Sequence, residues 1–184
     1  DVDCGYGPST ILAKLLGNAA TLKQVIRKTP EDFISIDRSL TNVFVWVTTF
    51  GNIADMDLEK VMEKKFGNGC PHCKQMPCIL AKGEKCETPP NCQSNTAPVN
   101  SPRSLGEWQK HLEEVYPNNF LGDVNQTLNK ASGRVTDEIA ELIGSSYRDI
   151  EDELKIVSFQ DGIQPWESEI ADVLAWSFAV TNCL

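Results

Sequence analysis

The chain has 184 residues, 41% hydrophobic and 23% charged, enough for one sizeable core or two small ones. Its formal net charge of -9 argues against nucleic acid as a partner and admits a phosphorylated ligand only where a cation reverses the local field. No apolar run approaches the roughly 20 residues of a membrane span, and Asp1-Val2-Asp3-Cys4 lacks the basic start of a signal peptide.

Ile11, Leu12, Leu15 and Leu16 recur at helical spacing, and Leu22, Val25 and Ile26 continue the pattern past Gly17-Asn18. Thr29-Pro30 signals a break, with Glu31 and Asp32 suited to the first turn of the next helix. Leu40, Val43, Phe44, Val47 and Phe50 form that helix's apolar stripe, and Gly51-Asn52 ends or bends it. A further helix is expected from Asp57 to Phe66, with Leu58, Val61 and Met62 on one side.

Gly67 to Cys92 is Cys-rich, and Thr88 to Arg103 carries four prolines among Asn and Ser, as a linker or exposed crossover would. Ser104, with Glu107 three residues on, predicts a capped helix bearing Trp108, His111, Leu112 and Val115 and ended by Pro117. The clearest stripe follows: Leu121, Val124, Leu128, Ala131, Val135, Ile139 and Leu142, with Gly133 costing about 1 kcal/mol relative to Ala. The last helix starts near Pro165-Trp166 and carries Ile170, Val173, Leu174 and Phe178. With no convincing strand, the expected class is all-α, an antiparallel helical bundle.

Two acidic pairs, Glu138-Ile-Ala-Glu141 and Glu169-Ile-Ala-Asp172, sit on the last two helices. A spacing of three puts both carboxylates of a pair on one helix face, at the margin of the apolar stripe. If the helices pack side by side, four carboxylates converge and need a cation between them, of the hard kind that Mg²⁺ or Mn²⁺ supplies. A solvated acidic helix face is the plainer alternative.

Five of the seven cysteines lie between Cys70 and Cys92, an odd and clustered set that fits a reduced, cytoplasmic setting better than a secreted disulfide framework. Cys70-Pro71-His72-Cys73 has zinc-knuckle spacing; Cys70, Cys73, Cys78 and Cys86 are the first choice of ligands for a structural zinc, with Cys92 or His72 as substitutes. Buried thiols or an oxidation disulfide remain the alternatives. Lys60, Lys64, Lys65, Lys74, Lys82 and Lys85 make this region locally basic. Cys4 and Cys183 read as structural.

Asp137-Glu138-Ile-Ala-Glu141, then 27 residues (142–168), then Glu169-Ile-Ala-Asp172-Val-Leu-Ala-Trp176 resembles the motif of the MazG-type all-α nucleotide pyrophosphohydrolases. The resemblance covers Ser104 to Leu184, and Asp137 stands where the family carries Glu. It implies Mg²⁺-dependent (or Mn²⁺-dependent) hydrolysis of a nucleoside triphosphate to monophosphate and pyrophosphate, in a homo-oligomer of helical bundles. Carried over, Glu138, Glu141, Glu169 and Asp172 are metal ligands, and Glu138, Glu141 or Asp137 orients or deprotonates water. Trp176 stands where an aromatic residue often lines the nucleotide site, Asn182 matches the Asn that follows ten residues after the family's Asp, and Lys130 and Arg134 as substrate-binding residues either meet phosphates or lie on a solvated helix face. Trp108, His111, Tyr147 and Trp166 are further stacking candidates.

Residues 37–52 resemble the last helix: Leu40, Asn42, Val43, Trp46 and Asn52 align with Ile170, Asp172, Val173, Trp176 and Asn182. Ser39 and Asn42 then stand in the places of Glu169 and Asp172. A chance likeness between amphipathic helices is the alternative; a true repeat divides the chain into a degenerate helical repeat (1–66), a Cys-rich knot and linker (67–103) and a helical catalytic repeat (104–184), a tandem pseudo-dimer. The comparison of the two copies also leads us to expect that the second is cut short at Leu184. The competing functions are a non-catalytic helical binding or assembly module that keeps the fold, and a zinc-stapled regulatory adaptor.

Overall fold

The computed structural model describes residues 6–78, 86, 104–117, 122–151 and 165–184, with side chains in the fifth helix described as far as Ser146. Cys4, Cys92, Leu121, Lys82, Lys85, the Pro-rich segment and the Tyr147 side chain lie outside these. The described residues form six helices and no strand: α1 (Pro8–Lys28), α2 (Phe33–Ile53), α3 (Leu58–Phe66), α4 (Leu105–Val115), α5 (Val124–Glu151) and α6 (Pro165–Thr181). None is long and apolar enough to cross a membrane.

Local chemistry sets the helix starts. Pro8 at the head of α1 has the backbone angle a first turn needs and no N–H to leave unpaired. Asp32, Asp57 and Ser104 cap α2, α3 and α4, their side chains accepting from the N–H of Ser35 (3.1 Å), Lys60 (3.1 Å) and Glu107 (3.2 Å). Asp32 thus sits before α2 and Glu31 outside it, not in its first turn as expected from sequence. Asp123 does the same for α5, accepting from Gln126 N–H at 3.0 Å. Val124, assigned to the apolar stripe, is 50% exposed, because the first turn of α5 extends beyond its neighbours' cover.

α1 packs on α2 and α5, while α6 packs on α5, α2, α4 and α3. One apolar core draws on all six helices, from Ile11, Leu15 and Leu22 through Val43, Val47, Phe66 and Leu112 to Leu128, Ile139, Ile170 and Val180. α6 is the central element, which explains its composition. Ile170, Ala171, Val173, Leu174, Ser177, Phe178, Ala179 and Val180 are all buried, so it is apolar nearly all round. Its only carboxylates (Glu167, Glu169 and Asp172) lie in its first half, where α5 and α3 meet it.

Candidate functional site

On α5, Ile139 and Leu142 are fully buried against the core. Glu138, one residue before, is carried to the edge of that face and half-buried, while Glu141 is exposed. On α6, Ile170 and Val173 are fully buried and hold Glu169 and Asp172 at the corresponding edge. The packing of α5 on α6 brings carboxylate oxygens of Glu138, Glu141 and Glu169 all within 4.8 Å of one another.

That crowding has an electrostatic consequence. Burial, then the charges of Asp172, Glu141 and Glu169, push the Glu138 carboxyl up to about 7, with Lys65 pulling partly the other way. Glu138 is therefore poised to hold or release a proton near neutral pH. Burial also raises Asp172, and the ammonium of Lys65 opposes it.

Asp172 is close enough to be the leading charge acting on Glu138, yet it does not share the three-carboxylate cluster. It is bound by Lys65 from α3. The same ammonium donates to Ser168 O at 2.9 Å and Ser168 Oγ at 2.7 Å. An ammonium has three protons, and here all three have acceptors. Lys65 keeps only 11% of its side chain exposed and Asp172 27%, so the pair is largely desolvated. Four like charges were expected to demand a bound cation; a lysine ammonium meets one quarter of that demand. Sequence patterns did not single out Lys65 for this role, since its partner lies 107 residues away.

The remaining sequence candidates fall into three groups. Asp137, Lys130 and Arg134 are exposed on α5. Asp137 follows the helical rotation away from Glu138, since adjacent residues do not share a face. Trp176 is half-buried on α6, and Asn182 donates to Gln109 O at 3.4 Å, joining the end of α6 to α4. Trp108 and His111 are buried and stack edge-on at 5.5 Å, with His111 Nε2 bonded to Phe66 O at 2.9 Å; Trp166 packs edge-on against Phe50. These three are structural in their contacts.

The sulfurs of Cys70, Cys73, Cys78 and Cys86 form a second cluster, also within 4.8 Å of one another. No disulfide joins them. His72, the suggested substitute ligand, is exposed and outside the group. Tyr116 lies between the two clusters: burial, then Cys70, Cys78 and Asp172, push its phenol upward.

Comparison with family models, with curated proteins and with solved structures finds no significant match to this chain.

Proposed function

We propose that the carboxylate cluster on α5 and α6 is the active site of a nucleoside triphosphate pyrophosphohydrolase, releasing monophosphate and pyrophosphate. One observation carries the reading: three carboxylates from two helices meet within 4.8 Å of one another. Oxygen donors so placed fit Mg²⁺ or Mn²⁺, and Glu138, Glu141 and Glu169 would hold the ion. When bound, the ion would supply positive charge to offset the triphosphate and make water a better nucleophile.

The chain's own residues supply the rest. A carboxylate oxygen that the ion leaves free, on Glu138 or Glu141, is placed to take the proton of the attacking water. Lys65 fixes the Asp172 carboxylate and keeps the first turns of α6 registered on α3. The exposed Glu141 leaves one side of the cluster open to solvent, where a phosphate chain can enter. Trp176, one turn beyond Asp172, offers a half-buried ring for a base. The resemblance of this segment to the MazG-type enzymes supports the same reaction.

The arrangement of helices supports the tandem reading as well. α1 pairs with α2 as α5 pairs with α6, and the two pairs meet through α1·α5 and α2·α6. Leu40 and Val43 are buried, as are Ile170 and Val173, and Trp46 and Trp176 are both half-buried. The first pair carries Ser39 and Asn42 where the second carries Glu169 and Asp172, so among the described residues the acidic cluster belongs to the second pair. Self-association belongs to the same reading, with Phe33, Ile34 and Val45 exposed on α2 as its apolar surface.

A second reading, a helical assembly module without turnover, is favoured by the Lys65–Asp172 pair, which fills one carboxylate with a protein cation. Product analysis separates the two. The common ribo- and deoxyribonucleoside triphosphates would each be incubated with the protein in Mg²⁺ or in EDTA. The enzyme reading predicts Mg²⁺-dependent pyrophosphate from at least one of them; the module reading predicts none.

A further inference from the structure

The cysteine cluster stands apart from the carboxylates and from the activity proposed for them. Tetrahedral zinc binds thiolate sulfur at about 2.3 Å, which sets the sulfur–sulfur edges of the tetrahedron at ~3.8 Å. Cys73 and Cys78 sulfurs are 3.8 Å apart, Cys70 and Cys86 3.3 Å, and all four lie within 4.8 Å. These separations are far beyond the ~2.05 Å of a disulfide and close to the edges of a four-thiolate cage.

The surroundings point the same way. The loop is folded to make the cluster possible. Lys74 N–H donates to Cys70 O at 2.8 Å, and Cys70 N–H to Gln75 O at 3.1 Å. Gly69 has φ +93, and a Cβ there would stand 2.7 Å from Gln75 O, so only glycine fits. Cys78 N–H then donates to Val115 O at 2.8 Å, fastening the loop to the end of α4.

Apolar packing cannot hold this loop. Its buried cluster consists of three cysteines and Val115, with Met76, Cys86 and Tyr116 around them. We propose that Cys70, Cys73, Cys78 and Cys86 bind one zinc ion, a structural centre that ties the end of α3 to the end of α4. Each thiol gives its proton to solvent on binding, and all four positions around the metal are filled by sulfur. No position is left for water, so the centre staples and does not catalyse. Because α3 carries Lys65, the staple also holds the cation that pairs with Asp172.

The test uses the full chain, expressed with zinc and purified under reducing conditions, with metal content measured by mass spectrometry. About one zinc per chain is expected. Cys73→Ser and Cys78→Ser should lose it, while Cys92→Ser, Glu138→Gln and Glu169→Gln should keep it. Less than about half an equivalent in the wild type, or loss in Cys92→Ser, overturns the assignment. Should the serine variants fail to fold, cobalt exchanged into the wild type decides. Thiolate-to-cobalt charge transfer with tetrahedral visible bands is expected, and a spectrum without sulfur ligation contradicts the site. The pyrophosphohydrolase assay plays no part in these readouts, so either proposal can fail without the other.

Discussion

At the scale of single residues, Lys65 and Glu138 decide how the carboxylates coexist. Lys65→Met keeps the stem and removes the charge, leaving Asp172 largely desolvated beside Glu138. Loss of about 1–3 kcal/mol of stability is expected, discounted from the full value for a buried pair because Asp172 retains some exposure. Urea denaturation reads this, and adding Asp172→Asn should recover part of it; an unchanged midpoint in the single variant would count against a structural ion pair. Glu138 gives a pH signature in protein without Mg²⁺. Its carboxyl rises from an ordinary 4.5 to about 7 on folding, so the folded chain holds more protons in that window. The associated stability is complete below pH 4.5 and is lost as pH rises through 7. Melting temperature in zinc-loaded protein without Mg²⁺ should therefore fall between pH 5 and pH 8, and Glu138→Gln should flatten the fall. A wild-type melting temperature that climbs over this range contradicts the crowding. Glu138 was legible from its place beside the stripe. The lysine was not, because a contact between α3 and α6 leaves no local pattern, and the exposed Asp137 shows that adjacency in a motif does not bring a side chain to a cluster.

At the scale of helices, the sequence was informative wherever the cause is local. Asp57 and Ser104 stand at helix starts because a short oxygen side chain meets an orphan N–H, and that rule needs no tertiary knowledge. The stripe on α5 was readable because every third or fourth residue must face the core. α6 was harder to orient, since a central helix buries most of its surface and blurs the stripe. His111 and Trp108 illustrate what escapes such reading: their aromatic chemistry suits a ligand, but burial at the α3–α4 corner commits them to Phe66 O and to each other. Gly133 lies inside α5, and a Cβ there would meet nothing within 4 Å. Gly133→Ala should therefore stabilise the protein by about 0.5–1 kcal/mol, raising the melting temperature without altering the site. A lowered melting temperature would show that this position is filled by something the monomer does not contain.

At the scale of the molecule, a central helix organises the carboxylate cluster. α6 contributes Glu169 and Asp172, α3 returns Lys65 to it, and the cysteine loop between α3 and α4 sets where α3 lies. The expectation of an all-helical chain followed from its stripes and the absence of alternation. How α1–α2 meets α5–α6 did not, because helix faces can be read from sequence while the partner of each face cannot. The same limit applies to the four cysteines: spacing gave a ligand set, and only folding brings Cys86 to Cys70. The most direct measurement is single-turnover hydrolysis of the best triphosphate by wild type, Glu138→Gln and Glu169→Gln in Mg²⁺, with both products quantified. Equal monophosphate and pyrophosphate from the wild type, with each variant slowed about 10²-fold or more, is the predicted result. Absence of pyrophosphate from the wild type, or variants that match its rate, would contradict a catalytic carboxylate cluster.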